Sequence, residues 1–243
     1  MRLEEDLLRG LGFTDWRLLK PFKSKKNQVW LLQAMHQKEG CLSIVYKQVE
    51  ASDVSSEQTK LKQEADLLTG LREEGVPVPL LRGVGKACLV MDYLPGVPLC
   101  DYLQQQEELA QGEADLSAAA LEALALLTAW LKGFYRAAEK VTGKPLVMKD
   151  VNLRNFLVKD GCLYGLDFED CQEGEQEEEA GKLCAYFYTY DPAGTPWKIK
   201  AVDHLKILLR EELNLNPARV ETAIRDEIRS MEQRRNANYG YLR

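Results

Sequence analysis

The spacing of the apolar residues changes near residue 94, and this change most limits the folds that the chain can adopt. Before it, apolar and polar residues alternate over short runs, which indicates half-buried strands. After it, apolar residues recur about every 3.6 positions, which indicates helices packed by one face. Between the two patterns, residues 94–98 hold two prolines and a glycine, which fit neither. The sequence therefore predicts an α+β fold with two lobes, residues 1–93 and residues 94–243.

The first predicted lobe is a small antiparallel β-sheet with one helix packed on it. The packed helix covers residues 57–74 and ends at Gly75, because Pro77 and Pro79 cannot continue it. Strands are predicted over residues 16–22, 28–35, 41–49, 80–84 and 87–93, after a short helix at 2–10.

The second predicted lobe is mainly α-helical. Its helices are predicted over residues 98–108, 116–141, 175–190, 199–212 and 217–235. Between the second and third of these helices, residues 156–158 and 162–166 form a hairpin around an Asp-Gly turn.

The charge and the cysteines of the chain exclude several classes of protein. The formal net charge is −6, which argues against a nucleic-acid partner, since such binding neutralises phosphates with lysine and arginine. The N-terminus is charged where a secretory signal needs an apolar core, and we expect no membrane span. The six cysteines have no paired spacing, so neither a zinc site nor a disulfide framework is indicated. We expect a cytoplasmic protein, and the oligomeric state stays open.

Two inward charges of opposite sign are predicted in the first lobe. In the strand 41–49, alternation places Lys47 on the same face as two valines, where an unpaired ammonium would be costly. In the helix 57–74, Glu64 lies on the apolar line between two leucines. Because these consecutive elements must pack together, the sequence predicts an ion pair between Lys47 and Glu64. Two solvated surface residues are the alternative.

A group of polar residues lies on the two loops that flank the hairpin of the second lobe. Asp150 and Asn155 come from a segment too interrupted to be a helix, and Asp167 directly follows a strand. Transfer of a γ-phosphoryl group needs a carboxylate that orients the attacking hydroxyl, oxygen ligands for Mg²⁺ and a lysine on the phosphates. We therefore predict Asp150 as the catalytic base and Asn155 and Asp167 as Mg²⁺ ligands, with Lys47 on the phosphates. Taken singly, Asp and Asn are equally typical of turns.

These motifs resemble those of the protein-kinase-like superfamily, closest to its aminoglycoside phosphotransferase and choline kinase branch. Asp167-Phe168-Glu169 is similar to the Asp-Phe-Glu of choline kinases, where protein kinases have Asp-Phe-Gly. Bacterial lipopolysaccharide-core sugar kinases share much of the pattern and are the second assignment. The resemblance is carried by residues 64–68, 75–79, 90–96, 150–155 and 166–169.

The resemblance implies a bilobal protein-kinase-like fold with ATP and Mg²⁺ as cofactors. It implies that Lys47 contacts the α- and β-phosphates and pairs with Glu64. It also implies that the backbone around Asp92 and Leu94 holds the adenine. Residues 24–27 resemble the Ser-x-x-Asn turn of small-molecule kinases, which makes Lys26 a further candidate for phosphate binding; a simple hairpin turn is the alternative.

Two features leave the function open between alternatives. Met148 stands where the family usually has a histidine that braces the catalytic loop, which motivates a pseudokinase that binds nucleotide without transfer. The segment after Glu169 is short and has no Ala-Pro-Glu anchor, so an atypical protein kinase is less favoured than a kinase of small molecules. The expected acceptor is a hydroxylated small molecule, namely an aminosugar, an amino alcohol or a sugar. The glutamate-rich run 173–179 would attract a cationic acceptor, or it is only a solvated surface.

Overall fold

The chain divides at residue 95 into two units, Met1–Pro95 and Gly96–Arg243, each with its own internal packing. The computed structural model describes residues 3–24, 26–49 and 54–240. Residues 1 and 2, Lys25 in the predicted turn, residues 50–53 before the predicted helix, and residues 241–243 lie outside the described residues.

The described part of the first unit contains a five-stranded antiparallel sheet. The strands are β1 (Phe13–Phe22), β2 (Asn27–His36), β3 (Gly40–Val49), β4 (Leu81–Val84) and β5 (Cys88–Asp92). They are ordered β1-β2-β3-β5-β4, and each corresponds to a predicted strand. Alternation along β3 buries Ile44 and Tyr46, which join an apolar cluster with Leu8 of α1 (Glu5–Gly10) and with Phe13.

The predicted helix of the first unit is α2 (Val54–Glu73), which packs against β4 and β5. Its apolar line is buried at Leu61, Leu68 and Leu71. Gly75 ends it with a φ of +80°, a left-handed conformation that glycine adopts without steric strain. The N–H of Val76 then donates to the carbonyl of Leu71 at 2.9 Å, which completes the helix end.

The predicted helices of the second unit are all present. They are α3 (Leu99–Leu109), α4 (Ala118–Thr142), α5 (Gln176–Thr189), α6 (Pro196–Leu213) and α7 (Pro217–Gly240). α4 is the central one, with Leu124, Leu131 and Phe134 fully buried. Ser117 caps it by accepting a hydrogen bond from the N–H of Ala120.

α4 is also long and apolar enough to cross a membrane, although no such run was expected from the sequence. Half of the 18-residue segment of this helix that is apolar enough to span a membrane is buried inside the protein. The core helix of a water-soluble protein passes the same test of length and composition. This helix is therefore not evidence for a membrane span.

Short strands frame the two motif loops of the second unit. β8 (Phe156–Lys159) and β9 (Cys162–Gly165) form the predicted hairpin, and β6 (Val97–Pro98) pairs with β8. β7 (Leu146–Val147) pairs with β10 (Gln172–Glu173), so the chain entering the first loop lies beside the chain leaving the second. Neither β6, β7 nor β10 was predicted, because two residues carry no detectable period.

Candidate active site

The predicted ion pair of the first unit is present. Nζ of Lys47 lies 3.0 Å from each carboxylate oxygen of Glu64, and the two residues are 5% and 3% exposed. β3 supplies the lysine and α2 the glutamate, as alternation and helical spacing predicted. A buried ammonium needs such a partner, because a desolvated lone charge costs several kcal/mol. The pair therefore fixes the position of the lysine ammonium.

Asp92 and Leu94, predicted at the adenine, lie where β5 ends. The carboxylate of Asp92 is bound by Arg82 of β4, with Oδ1 2.6 Å from Nε. The backbone N–H groups of Asp92 and Tyr93 donate to carbonyls of the same unit. In the part of the chain that the structure describes, the N–H of Leu94 has no such partner. The side chain of Asp92 is thus a structural group, and adenine binding by the backbone of Asp92 and Leu94 stays a prediction.

Lys26 lies exposed in the turn between β1 and β2. The N–H of Asn27 donates to Oγ of Ser24 at 3.3 Å, a side-chain-to-backbone bond that stabilises turns. The turn therefore has a defined hydrogen bond at its base, and phosphate binding by Lys26 stays a prediction.

The backbone of Asp150 is held by two asparagines of its own loop. Nδ2 of Asn155 and Nδ2 of Asn152 donate to the Asp150 carbonyl at 2.8 and 3.3 Å. Asn152 also accepts the N–H of Arg154 at 3.0 Å, which caps the 3₁₀ turn Leu153–Asn155. These bonds fix the main chain of Asp150 while its side chain stays exposed. A general base needs this combination to reach a substrate.

The hairpin brings Asn155 and Asp167 to the same end of its sheet. The N–H of Leu166 donates to the carbonyl of Asn155 at 2.8 Å, one residue before Asp167. Asp167 is exposed and has a φ of +63°, a left-handed conformation that is uncommon outside glycine and is frequent at functional sites.

The donor chemistry of these two residues fits Mg²⁺. Because Asn155 uses its Nδ2 on the Asp150 carbonyl, its Oδ1 is left to face a ligand, and Asp167 adds a carboxylate. Mg²⁺ is commonly bound by one or two protein oxygens and takes the others from phosphate and water. The described residues contain no group of three or more His, Cys, Asp or Glu side chains that could hold a metal ion alone.

Aromatic packing anchors the residue that follows each predicted metal ligand. Phe156 and Phe168 are these residues, and both are buried. The ring of Trp130 on α4 lies 5.2 Å from that of Phe156 and 6.2 Å from that of Phe168, measured between centroids. Trp130 also covers Gly165, where an added Cβ would lie 2.0 Å from the indole, so the packing requires glycine.

Glu179 of α5 braces the loop at the position where the expected histidine is missing. Its Oε1 accepts the N–H of Lys149 at 3.1 Å, and the hydroxyl of Tyr135 on α4 donates to its Oε2 at 2.8 Å. Glu179 and Met148 are each 1% exposed. The methionine therefore does not leave the loop unsupported. Sequence reasoning missed this role, although Glu179 lies four residues before the buried Leu183, on the apolar face of α5.

Burial raises the pKa of Glu179 from 4.5 to about 7. The hydrogen bonds from Tyr135 and from the backbone of Met148 and Lys149 oppose this rise, since they favour the ionised form. Burial and the neighbouring carboxylate also raise the pKa of Tyr135 well above its usual value, so the phenol keeps its proton and remains the donor.

The glutamate-rich run 173–179 is largely engaged in contacts within the second unit. Glu175 and Glu177 pair with Arg219 of α7 at 3.3 and 3.7 Å, and the first glutamate of the run pairs with Lys144. The last glutamate of the run is the buried group that braces the loop carrying Asp150. These contacts reduce the charge that could attract a cationic acceptor, which favours the structural interpretation of the run.

Comparisons with known proteins agree with this architecture. Neither a scan against protein-family models nor a search of curated proteins found a match. Among solved structures, the chain is similar to the aminoglycoside phosphotransferase APH(2″)-IIa in its ternary complex with streptomycin and ATP. That match has a TM-score of 0.58 and 14% identical residues, and it covers 99% of this chain and 94% of the other. The chain therefore has the protein-kinase-like fold, in the form found in an aminoglycoside phosphotransferase.

Proposed function

We propose that this protein is an ATP- and Mg²⁺-dependent phosphotransferase that moves the γ-phosphoryl group to a hydroxyl of a small molecule. The observation that carries the proposal is the hydrogen-bonded loop that holds Asp150 and Asn155 at the hairpin end from which Asp167 emerges. The buried pair of Lys47 and Glu64 supports it, and so does the fold shared with an aminoglycoside phosphotransferase.

In the proposed enzyme the first unit binds the nucleotide. Lys47 contacts the α- and β-phosphates, and Glu64 holds the ammonium charged and in position. The backbone at Asp92 and Leu94 binds the adenine, and Lys26 reaches the phosphates from its turn. Phosphoryl transfer asks for little covalent chemistry from the protein, so these contacts act through positioning and charge.

The second unit supplies the metal ligands and the base. Oδ1 of Asn155 and the carboxylate of Asp167 would hold Mg²⁺, which would neutralise charge on the transferring group. Asp150 accepts a hydrogen bond from the acceptor hydroxyl and takes its proton as the hydroxyl oxygen attacks the γ-phosphorus. The bond between that phosphorus and the oxygen bridging to the β-phosphate breaks, and ADP leaves. The two asparagine contacts to its carbonyl keep this carboxylate in place.

The proposed acceptor is a small hydroxylated molecule of the aminosugar, amino alcohol or lipopolysaccharide-core sugar type. Only residues 168–175 connect Asp167 with α5, which leaves no long segment to position a peptide. We propose a cytoplasmic activity, because the spacing of the cysteines does not indicate a disulfide framework and the reaction consumes ATP.

A nucleotide-binding module without transfer is the second candidate, because Met148 replaces the expected histidine. Glu179 supports the loop at that position, so the replacement does not by itself disable the loop. The base and metal positions are all kept as well, which a module without chemistry does not require. This candidate therefore ranks second.

The proposal is tested by Asp150→Asn, which removes the carboxylate charge with little change in shape. We expect Mg²⁺-dependent ATP binding to persist and transfer to fall about 10²- to 10⁴-fold, the usual contribution of a general base. ATP consumption is measured with aminoglycosides, choline-like amines, sugars and lipopolysaccharide-core fragments as acceptors. Asp160→Asn in the exposed turn of the β8–β9 hairpin is the matched control, and Asp167→Ala is the blank.

Each outcome of this screen points to one function. Normal turnover by the Asp150→Asn variant would mean that the base is assigned wrongly. Mg²⁺-dependent ATP binding without consumption across the whole panel would favour the nucleotide-binding module. Phosphorylation of generic basic or acidic proteins would favour an atypical protein kinase.

A further inference from the structure

Arg154, next to the predicted metal ligand Asn155, is held by an aromatic ring rather than by a carboxylate. Its guanidinium carbon lies 5.4 Å from the centroid of the Tyr190 ring, and its side chain is exposed. Within the described residues this guanidinium forms no ion pair. An arginine that rests by its face on a ring keeps its N–H edges available for a planar anion.

Tyr190 is a fixed platform for this arginine. It caps the C-terminus of α5, where its N–H donates to the carbonyl of Tyr186 at 3.1 Å. Burial raises the pKa of the Tyr190 phenol to about 12, so the ring stays neutral at physiological pH. The guanidinium is therefore positioned before any ligand binds, which reduces the entropy that binding costs.

The loop itself connects Arg154 with the predicted base. Nδ2 of Asn152 donates to the Asp150 carbonyl at 3.3 Å, and Oδ1 of Asn152 accepts the N–H of Arg154 at 3.0 Å. The side chains of Asp150 and Arg154 are both exposed, and the ring of Tyr190 lies under the guanidinium. Asp150 and Arg154 are therefore held together on one exposed loop, next to the C-terminus of α5.

The neighbouring charges of α7 pair with each other rather than with Arg154. Glu227 and Arg234 of α7 pair with each other at 2.7 Å. Lys149, which directly precedes the base, is a second exposed cation. The glutamates 175 and 177, which could have attracted an amine, pair with an arginine of α7. An acceptor that reaches Asp150 thus meets the guanidinium of Arg154 on the same loop.

We propose that Arg154 binds a carboxylate or a phosphate ester on the acceptor whose hydroxyl Asp150 orients. This inference rests on the proposed phosphotransferase function. Among the acceptor types proposed above, it favours sugars that carry an anion over aminosugars and amino alcohols, which carry an ammonium. Two parallel N–H···O bonds from a guanidinium to such a group are strong and also set the orientation of the ligand. Hydrogen bonds to a charged group of this kind usually change affinity about 10- to 100-fold. An acceptor that carries an ammonium in place of this anion is repelled by the positive charge of Arg154.

Four hexoses with the same glucose ring but substituents of different charge provide matched probes. Glucuronate and glucose 6-phosphate carry the two kinds of anion, glucose is the neutral counterpart, and glucosamine carries an ammonium. Calorimetry measures their binding to the whole 243-residue chain, with and without Mg²⁺ and a non-hydrolysable ATP analogue, and transfer from ATP is followed separately. We expect at least one anionic hexose to bind about 10-fold or more tightly than glucose, and glucosamine to bind no more tightly than glucose.

Two substitutions separate charge from geometry at this position. Arg154→Gln removes the charge, whereas Arg154→Lys keeps it without the paired N–H groups. We expect the Gln variant to lose the preference for the anionic hexose, the Lys variant to keep part of it, and both to bind glucose as the wild type does. Arg210→Gln, at an exposed arginine of α6, is the matched control and keeps the full preference. If Arg154 only held the loop, the Gln variant would weaken all hexoses and the intrinsic ATP hydrolysis alike, which would overturn the inference.

Other outcomes of the binding and transfer measurements also support or overturn the inference. Equal affinity for charged and neutral hexoses, a preference for glucosamine, or an anion preference that survives Arg154→Gln would each overturn it. Arg154-dependent binding of glucuronate or glucose 6-phosphate without any transfer would support the inference and contradict the phosphotransferase function. Transfer to neutral or cationic acceptors with no effect of Arg154→Gln would support the function and overturn the inference.

Discussion

Glu179 is a carboxylate that the fold keeps almost entirely out of water. Burial raises its pKa from 4.5 to about 7, so between these values the folded protein keeps a proton that the unfolded chain has lost. The contribution of this residue to stability is therefore fully present below pH 4.5 and is lost as the pH rises towards 7. Above about pH 7 both states are ionised, and the cost of the buried charge stays constant.

Glu179→Gln keeps the shape and an acceptor for the N–H of Lys149 but removes the charge. We expect this variant to match the wild type in stability at pH 4.5 and to exceed it above pH 7, by about 3 kcal/mol at most. Chemical denaturation at a series of pH values measures the difference. Glu178→Gln, at the exposed neighbour on α5, is the control without such a pH dependence. A gain for Glu179→Gln that is the same at every pH would contradict the assignment.

The β8–β9 hairpin and α4 act together as the element that presents the two predicted metal ligands. The hairpin sets the spacing of the loops, and the aromatic rings of α4 hold the residue after each ligand. Phe168 is 2% exposed and lies against Trp130 and Phe134, with ring centroids 6.2 and 6.0 Å away. The position of Asp167 therefore depends on packing in the core behind it.

Phe168→Ala removes this anchor and leaves a cavity beside α4. We expect it to destabilise the protein by about 3–5 kcal/mol, the usual cost of deleting a buried phenylalanine. We also expect a higher Mg²⁺ concentration for half-maximal activity, because Asp167 is no longer held. Phe168→Leu, which keeps most of the volume, is the comparison and should cost much less. An unchanged Mg²⁺ requirement in a folded Phe168→Ala protein would show that the anchor does not position the ligand.

At the scale of the whole molecule, the five residues predicted to act on the nucleotide are divided between the two units. Lys47 and Glu64 belong to the first unit, whereas Asp150, Asn155 and Asp167 belong to the second. The action of all five on one nucleotide stays a prediction. It has a thermodynamic consequence, because a ligand that binds only the folded protein stabilises it by mass action.

MgATP at about 100 times its dissociation constant should stabilise the protein by about 2.7 kcal/mol, which raises the melting temperature by about 5–10 °C. Asp167→Ala in one unit and Lys47→Met with Glu64→Leu in the other should each abolish most of this shift. The double substitution is chosen because removing one member of a buried ion pair costs about 3–5 kcal/mol, whereas apolar replacement of both is often neutral. Thermal melts with and without MgATP measure the shift. If either variant kept all of it, the residues of that unit would not bind the nucleotide.

The long elements could be predicted from the sequence because each carries its own period. β1 to β5, the helices and the β8–β9 hairpin were all expected within a few residues of their observed ends. The ion pair of Lys47 and Glu64 was also predictable, since strand alternation and helical spacing turned both charges inward. The two-residue strands β7 and β10 were not, because only their pairing with each other makes them strands.

By itself the sequence determined the α+β class, the order of the elements and the polar residues that the two loops carry, because periodicity and turn chemistry are local properties. Tertiary structure alone decided that Glu179 braces the loop carrying Asp150, and that Arg82 binds the carboxylate of Asp92. It also decided that the ring of Tyr190 lies under the guanidinium of Arg154. These contacts join residues distant in the chain, and burial changes the chemistry of a side chain only once its neighbours are in place. The electrostatic character of the proposed acceptor site is therefore a property of the packed second unit.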